Sequence, residues 1–356
     1  MISFKSNMLK INYSLYEGYK MSTTKKKIKT SEIAAIAGVS PATVSRVINH
    51  RELVADETVS KIAAAFESLG LKLPPFEEKS TKKGATILIN FPKGTNPFYE
   101  EVIEGAMASA AAHGFDVVYN YENINRNSFS HFVQLVENIN AAGVILLVKL
   151  NEELLEQLNS IVPVVQCCEY NKKSPLPYVG IDDFDAARKA TQYIIASGRN
   201  KIALLNGPLS AKYAQDRLDG FLSVMEEASL SVPSGWLINV PEINYEIAYS
   251  MVTQLLQSES RPNAFFATSD FLAAAVVNAA RNLHIHVPEH IMVVGFDNIL
   301  LCQMIRPMLT SVNQPKFRLG FSACEILTEI IENPDIIPHS ILLPTELIVR
   351  ESSTLT

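Results

Sequence analysis

The chain has 356 residues, 47% hydrophobic and 19% charged, which is too long for one ordinary core and too apolar for a disordered polymer, so two or more folded units are expected. No apolar run approaches the roughly eighteen residues of a membrane-spanning helix. The N-terminus also lacks the basic, apolar and small-residue order of a secretory signal, so a cytoplasmic location with no membrane partner is expected. The net charge of −6 is uneven: residues 1–85 hold 14 Lys/Arg against 8 Asp/Glu, and the remainder 17 against 29. A basic head on an acidic body suggests one unit for a polyanion and another for something else.

Cys167, Cys168, Cys302 and Cys324 show no metal-ligand spacing and read as free thiols. His284 and His286 lack partner ligands nearby. No metal and no cofactor are expected.

Residues 1–27 are polar and aperiodic and read as a disordered extension, within which Met21 is a second candidate start. Residues 28–73 then hold three short helical patterns. The first spans Ser31–Ala37, with Thr30 as N-cap, Ile33 and Ile36 as apolar contacts and Gly38 as the left-handed stop. After the turn Gly38-Val39-Ser40, Ser40 caps a second helix with Pro41 at its first position, where a missing N–H costs nothing. Val44, Val47 and Ile48 form its inward stripe. Pro41, Ala42, Ser45, Arg46 and Asn49 are left outward, a face small enough for a DNA major groove. Arg46 is the residue expected to read a guanine through O6 and N7. The third helix, Asp56–Leu69, covers the other two with Ile62, Phe66 and Leu69, and Gly70 ends it. By periodicity alone a three-helix module without nucleic acid stays open.

Residues 74–85, with Pro74-Pro75 and charges through Lys83-Gly84, read as a linker. From Thr86 onward, Val/Ile/Leu-rich runs alternate with amphipathic helices: 86–91, 116–121, 143–148, 163–167, 201–205, 264–268 and 291–295. Such runs predict strands buried on both faces of parallel sheets. The expected fold class is α/β: a helix-turn-helix head and a body, 86–356, of two doubly wound subdomains flanking a cleft. Subdomain one takes about 86–180 and 314–340, and subdomain two about 181–313 and 341–356. No GxGxxG, GxxxxGK[ST] or Ser/His/Asp set occurs, so no enzyme and no catalytic residue are expected.

The string from Ala34-Ala35-Ile36-Ala37-Gly38-Val39-Ser40 through Thr43-Val44-Ser45-Arg46-Val47-Ile48-Asn49 strongly resembles the headpiece of the LacI/GalR repressor family. That resemblance implies a base-contacting pair at Pro41 and Ala42 with Arg46 beside them. Ser40, Ser45, Asn49 and Thr58 would hold phosphates or base edges, and Thr30 joins the DNA-contacting set. Neither Pro41 nor Ala42 carries a side-chain donor, so readout would lean on Arg46, apolar contact and DNA shape.

Asn96-Pro97-Phe98-Tyr99, Arg217-Leu218-Asp219-Gly220-Phe221, Ser269-Asp270 and Gly295-Phe296-Asp297-Asn298 resemble the family's hallmarks in its body. These positions follow predicted strands, where open α/β sheets bind ligands. Asn96, Phe98, Tyr99, Glu169, Arg217, Ser269, Asp270, Phe296 and Asp297 are therefore the candidate effector residues, suited to a polar ligand with hydroxyls and a flat or ring-shaped part. Alternatives remain for three: Asp270 as a helix cap, Arg217 paired on the surface with Asp216 or Asp219, and Phe296 as core. With Gln314-Pro315, these motifs look most like the nucleoside (cytidine) repressor branch, so a ribonucleoside is the leading effector and a monosaccharide the second. The family's hinge-helix segment is replaced by Pro74-Pro75-Phe76-Glu77-Glu78, which predicts no leucine wedge, variable half-site spacing and help from a neighbouring DNA-bound regulator. The expected function is a homodimeric repressor of transport or catabolic genes on pseudo-palindromic operator DNA, relieved by a small effector. No C-terminal heptad argues for a tetramer. A periplasmic-type small-molecule carrier is the rival of a different class.

Overall fold

The computed structural model describes residues 30–41, 43–44, 47, 54–69, 71–73, 85–93 and 96–354, and the chain divides into two compact units, Met1–Thr81 and Lys82–Thr356. In the first unit, α1 (Thr30–Ala37) and α2 (Asp56–Ser68) flank a short helical stretch that includes Pro41, Thr43, Val44 and Val47. Gly38 takes φ +67°, a value open to glycine without a Cβ penalty, and lets the Val39 N–H donate back to the Ala34 carbonyl at 3.0 Å. Ile33, Ala34, Val44, Val47, Ile62, Ala65 and Phe66 form its core, with Val39, Leu69 and Leu73 packed against it. Ile36 departs from the expectation. It is 51% exposed, because α1 is only two turns long and turns Ile33 and Ala34 inward instead.

The second unit carries two six-stranded sheets. The first lobe is built from β1 (Thr86–Asn90), α3 (Phe98–Ala112), β2 (Asp116–Asn120), α4 (Phe129–Asn138), β3 (Ala141–Leu146), α5 (Glu152–Asn159), β4 (Val164–Cys167) and β5 (Tyr178–Gly180). The second follows with α6 (Asp183–Ala196), β6 (Ile202–Asn206), α7 (Lys212–Glu227), β7 (Leu237–Asn239), α8 (Tyr245–Leu256), β8 (Ala264–Ala267), α9 (Asp270–Asn282), β9 (Met292–Asp297), α10 (Leu301–Met304) and β10 (Thr310–Asn313). The chain then returns to the first lobe through α11 (Lys316–Glu332) and β11 (Ile341–Leu342), and ends in the second with β12 (Glu346–Ile348). Strand orders are β11-β5-β4-β3-β1-β2 and β12-β10-β9-β8-β6-β7. Every pairing is parallel except β10 with β12, an antiparallel edge.

The central strands are buried along their whole length, as expected of runs covered by helices on both faces. Residues 341–342 correct the expected subdomain border: they pair with β5 and belong to the first lobe, so the last crossing comes after Leu342. The reason is local, since two residues are too few to show a period. In the first lobe α3 packs on α11 at backbone contact. A Cβ on Gly320 would run into the Val102 carbonyl, and one on Gly105 into that of Phe317. Both glycines are required by this approach, which seats the N-terminal ends of α3 and α11 side by side at the cleft.

Candidate functional site

In the head, Ser40 caps the second helical stretch. The Thr43 N–H donates to Ser40 Oγ at 3.1 Å, and the two hydroxyls lie 2.8 Å apart. Pro41 and Thr30 are exposed, and Thr58 is half-buried in the first turn of α2, to which Ala55 offers no side-chain cap. Ala42, Ser45, Arg46 and Asn49, and the linker prolines, lie outside the described residues.

In the body, the C-terminal strand ends of both lobes open on a cavity of about 540 Å³. Chain crossings at Ile181–Asp183 and at Gln314 run along it. Of the nine candidate effector residues, seven line it: Asn96, Phe98, Tyr99, Glu169, Arg217, Ser269 and Asp297. Asn96 accepts from the Phe98 N–H at 3.1 Å and so fixes the start of α3, and the Phe98 and Tyr99 rings meet edge to face at 5.2 Å. Ser269 is the N-cap of α9.

Asp270 and Phe296 are corrections. Asp270 is the first residue of α9, fully buried behind the cavity wall. Its carboxylate accepts from Ser311 Oγ at 2.6 Å and from the Ile299 N–H at 2.9 Å, which ties α9 to β10 and to the loop after β9. Phe296 points into the core because alternation along β9 turns Asp297 outward. Its ring serves as a floor for Arg217, whose guanidinium carbon sits 3.4 Å from the ring centroid.

Arg217 pairs neither with Asp216 nor with Asp219. Nε donates to Asp183 Oδ1 at 2.9 Å, Nη2 forms an ion pair with the same oxygen at 2.8 Å, and Nη1 donates to the Thr268 carbonyl at 2.6 Å. The other oxygen of Asp183 receives Lys212 Nζ at 2.7 Å. Burial alone would raise the Asp183 pKa, but Arg217 and Lys212 outweigh it and hold the carboxyl below its ordinary value. Asp297 lies 3.9 Å from Arg217 Nη1 and accepts from Gln314 Nε2 at 2.8 Å. Burial pushes its pKa up to about 7, against the pull of Arg217, and Asp270 behind it is pushed to about 6. Asp297 also holds φ +106°, a left-handed value costly for a non-glycine residue, and the Lys316 ammonium braces it by donating to its carbonyl at 3.0 Å. The cavity thus offers a carboxyl that exchanges a proton near neutrality, a committed guanidinium and aromatic faces.

Asp183, Tyr213, Thr268, Cys168 and Gln314 also line the cavity and were not among the candidates. Their signals are faint: Asp183 follows the three-residue β5, and Gln314 the four-residue β10.

Residues 29–72 match the family described as bacterial regulatory proteins, lacI family, and residues 191–353 match the periplasmic binding protein-like domain. The HTH-type transcriptional repressor PurR of Photobacterium profundum is 31% identical over 90% of this chain and 97% of its own length. The HTH-type transcriptional repressor CytR of Escherichia coli (strain K12) is 28% identical over 90% and 95%. Among solved structures, a transcriptional regulator CelR–cellobiose complex superposes with a TM-score of 0.69 at 26% identity, covering 92% of this chain and all of that one. Head, body and near full-length similarity agree: the chain belongs to the lacI family of bacterial regulatory proteins, DNA-binding transcription regulators with a helix-turn-helix head and a periplasmic-binding-protein-like body.

Proposed function

We propose that the chain is a homodimeric repressor of transport or catabolic genes that acts in the cytoplasm by binding rather than by turnover. In this reading residues 28–73 are the DNA-binding head, 74–85 a linker without a leucine wedge, and 86–356 the effector-binding and dimerisation body. Two heads meet a pseudo-palindromic operator, with Arg46 as the principal base reader and Thr30, Ser40, Pro41, Ala42, Ser45, Asn49 and Thr58 around it. A neighbouring DNA-bound regulator helps to choose the site. A coupling of ~1–3 kcal/mol between effector and operator is enough to regulate.

The effector is a small polar molecule with a ring and neighbouring hydroxyls, and a ribonucleoside fits best. The observation that carries this is Asp297 and Arg217 facing the aromatic pair Phe98 and Tyr99 across about 540 Å³, the size of a small-ligand site. Ionised Asp297 accepts from paired hydroxyls while the aromatic faces take a flat ring. A sugar is the second reading, favoured by the likeness to the CelR–cellobiose complex. Titration of ribonucleosides and monosaccharides against the full chain, followed by melting temperature and operator affinity, tests both. One ribonucleoside should raise the melting temperature, weaken operator binding, and lose both effects in Asp297→Asn. A monosaccharide doing so alone favours the second reading, and no response from either class overturns the effector assignment.

A further inference from the structure

We infer that Glu169 is a cross-cleft latch that fits this cavity to uncharged ligands and turns away those carrying a phosphate or carboxylate. The inference rests on the effector reading above and adds to it the charge that the effector must have.

Glu169 belongs to the first lobe, two residues beyond β4, whereas α7 belongs to the second. The α7 helix brings no cap of its own, since Ala211 stands at its N-cap and makes no side-chain hydrogen bond. Its first N–H groups are satisfied from across the cleft instead. Lys212 N–H donates to Glu169 Oε2 at 2.8 Å, and Tyr213 N–H to Glu169 Oε1 at 3.0 Å. A helix N-terminus without its own cap seeks negative charge, through its N–H donors and its dipole, and Glu169, itself buried and lining the cavity, already supplies it. The surrounding loop grips the same turn twice more: Lys172 Nζ reaches Asp216 at 3.2 Å, and the Tyr170 ring lies 4.4 Å beneath the Lys212 ammonium.

An anionic ligand therefore finds its natural seat taken. The buried cations offer nothing in exchange, because Arg217 and Lys212 are both committed to Asp183 and Lys316 to the carbonyls of Asp297 and Asn298. Of the charged side chains that line the cavity from buried positions, Arg217 is thus spent and the other three are acidic: Glu169, Asp183 and Asp297. Lys93 and Lys149 line the cavity only from exposed positions. A phosphate would have to displace Glu169 and leave that carboxylate buried without donors, and the lobes would lose one of their ties.

Amide hydrogen exchange and phosphate titration on the full chain test this without knowing the effector. In the ligand-free wild type the amides of Lys212 and Tyr213 should be protected, and Glu169→Ala should speed their exchange about tenfold or more while Glu169→Gln falls between. Inorganic phosphate at constant ionic strength should leave the wild-type melting temperature unchanged and raise that of Glu169→Ala. Cytidine and its 5′-monophosphate give the third arm, in which discrimination against the phosphate should shrink about tenfold in Glu169→Ala. Equal exchange in wild type and Glu169→Ala, or equal stabilisation of both by phosphate, overturns the latch. If those two arms behave as stated and cytidine fails to bind, the nucleoside assignment fails while the latch stands.

Discussion

Replacing Asp183 by Asn removes one negative charge from between two buried cations. In the native body Asp183 is 2% exposed; one oxygen accepts from Arg217 Nε and pairs with Nη2, and the other accepts from Lys212 Nζ. Asn keeps the shape but sets an amide donor against one of these cations. Breaking a buried pair from one side costs about 3–5 kcal/mol, a large part of the ~5–15 kcal/mol that separates folded from unfolded domains. At about 2–4 °C per kcal/mol for a domain of this size, the calorimetric transition of the body should fall by about 6–20 °C. The loss should also depend on pH. Arg217 Nη1 is only 3.9 Å from Asp297, whose pKa is about 7. Above that value Asp297 is ionised and can take over the abandoned guanidinium; below it Asp297 is neutral and cannot. The penalty should therefore be larger at pH 6 than at pH 8, measured by scanning calorimetry of the full chain at constant ionic strength. Because the folded pKa of Asp183 itself is lowered, the native pairing contributes fully above the unfolded value and fades only as pH falls through the folded one. A penalty under about 1 kcal/mol at both pH values would mean instead that water reaches these groups in solution and that the triad is not a buried pairing.

Asp297→Asn should flatten the pH dependence of stability. The folded pKa is raised to about 7, so the stability linked to the bound proton is complete below the unfolded value and lost as pH rises through about 7; denaturant midpoints between pH 5 and 8 that fall equally in both proteins would contradict this. Gly320→Ala drives a methyl into the Val102 carbonyl at the α3–α11 crossing and should cost about 1–3 kcal/mol, read as a lower denaturant midpoint; an unchanged midpoint would show that the helices can part freely. Ser40→Ala removes the cap that holds the Thr43 N–H, costs about 1 kcal/mol of head stability, and should weaken operator binding while leaving ligand binding to the body intact.

What the sequence reveals here depends on length. The strands of β1, β3, β6, β8 and β9 are apolar runs of four to six residues between helical patterns, so they and the α/β class can be read directly. The strands β5, β7, β11 and β12 are only two or three residues long, and the four-residue β10, Thr-Ser-Val-Asn, is mostly polar, so none stands out, yet β5 and β10 place Asp183 and Gln314 at the cleft. Asp270 and Asp297 look alike as aspartates beside strand ends. Only the fold separates them: α9 begins at Asp270 and carries it behind the wall, whereas β9 ends at Asp297 with its side chain toward the cavity. Glu169 follows β4 and could be noticed, yet its partners are backbone amides of Lys212 and Tyr213, more than forty residues away, and no local pattern records such a meeting.

Genome-wide footprinting of the bound protein, with and without a panel of ribonucleosides, decides whether this chain is an effector-relieved repressor. Discrete, two-fold symmetric sites should appear near transport or catabolic genes. Arg46→Ala should lose them at fixed salt, and one neutral ligand should clear them from the wild type but not from Asp297→Asn. Sites held equally well by Arg46→Ala, or occupancy that no neutral ligand of the cleft alters, would contradict that role.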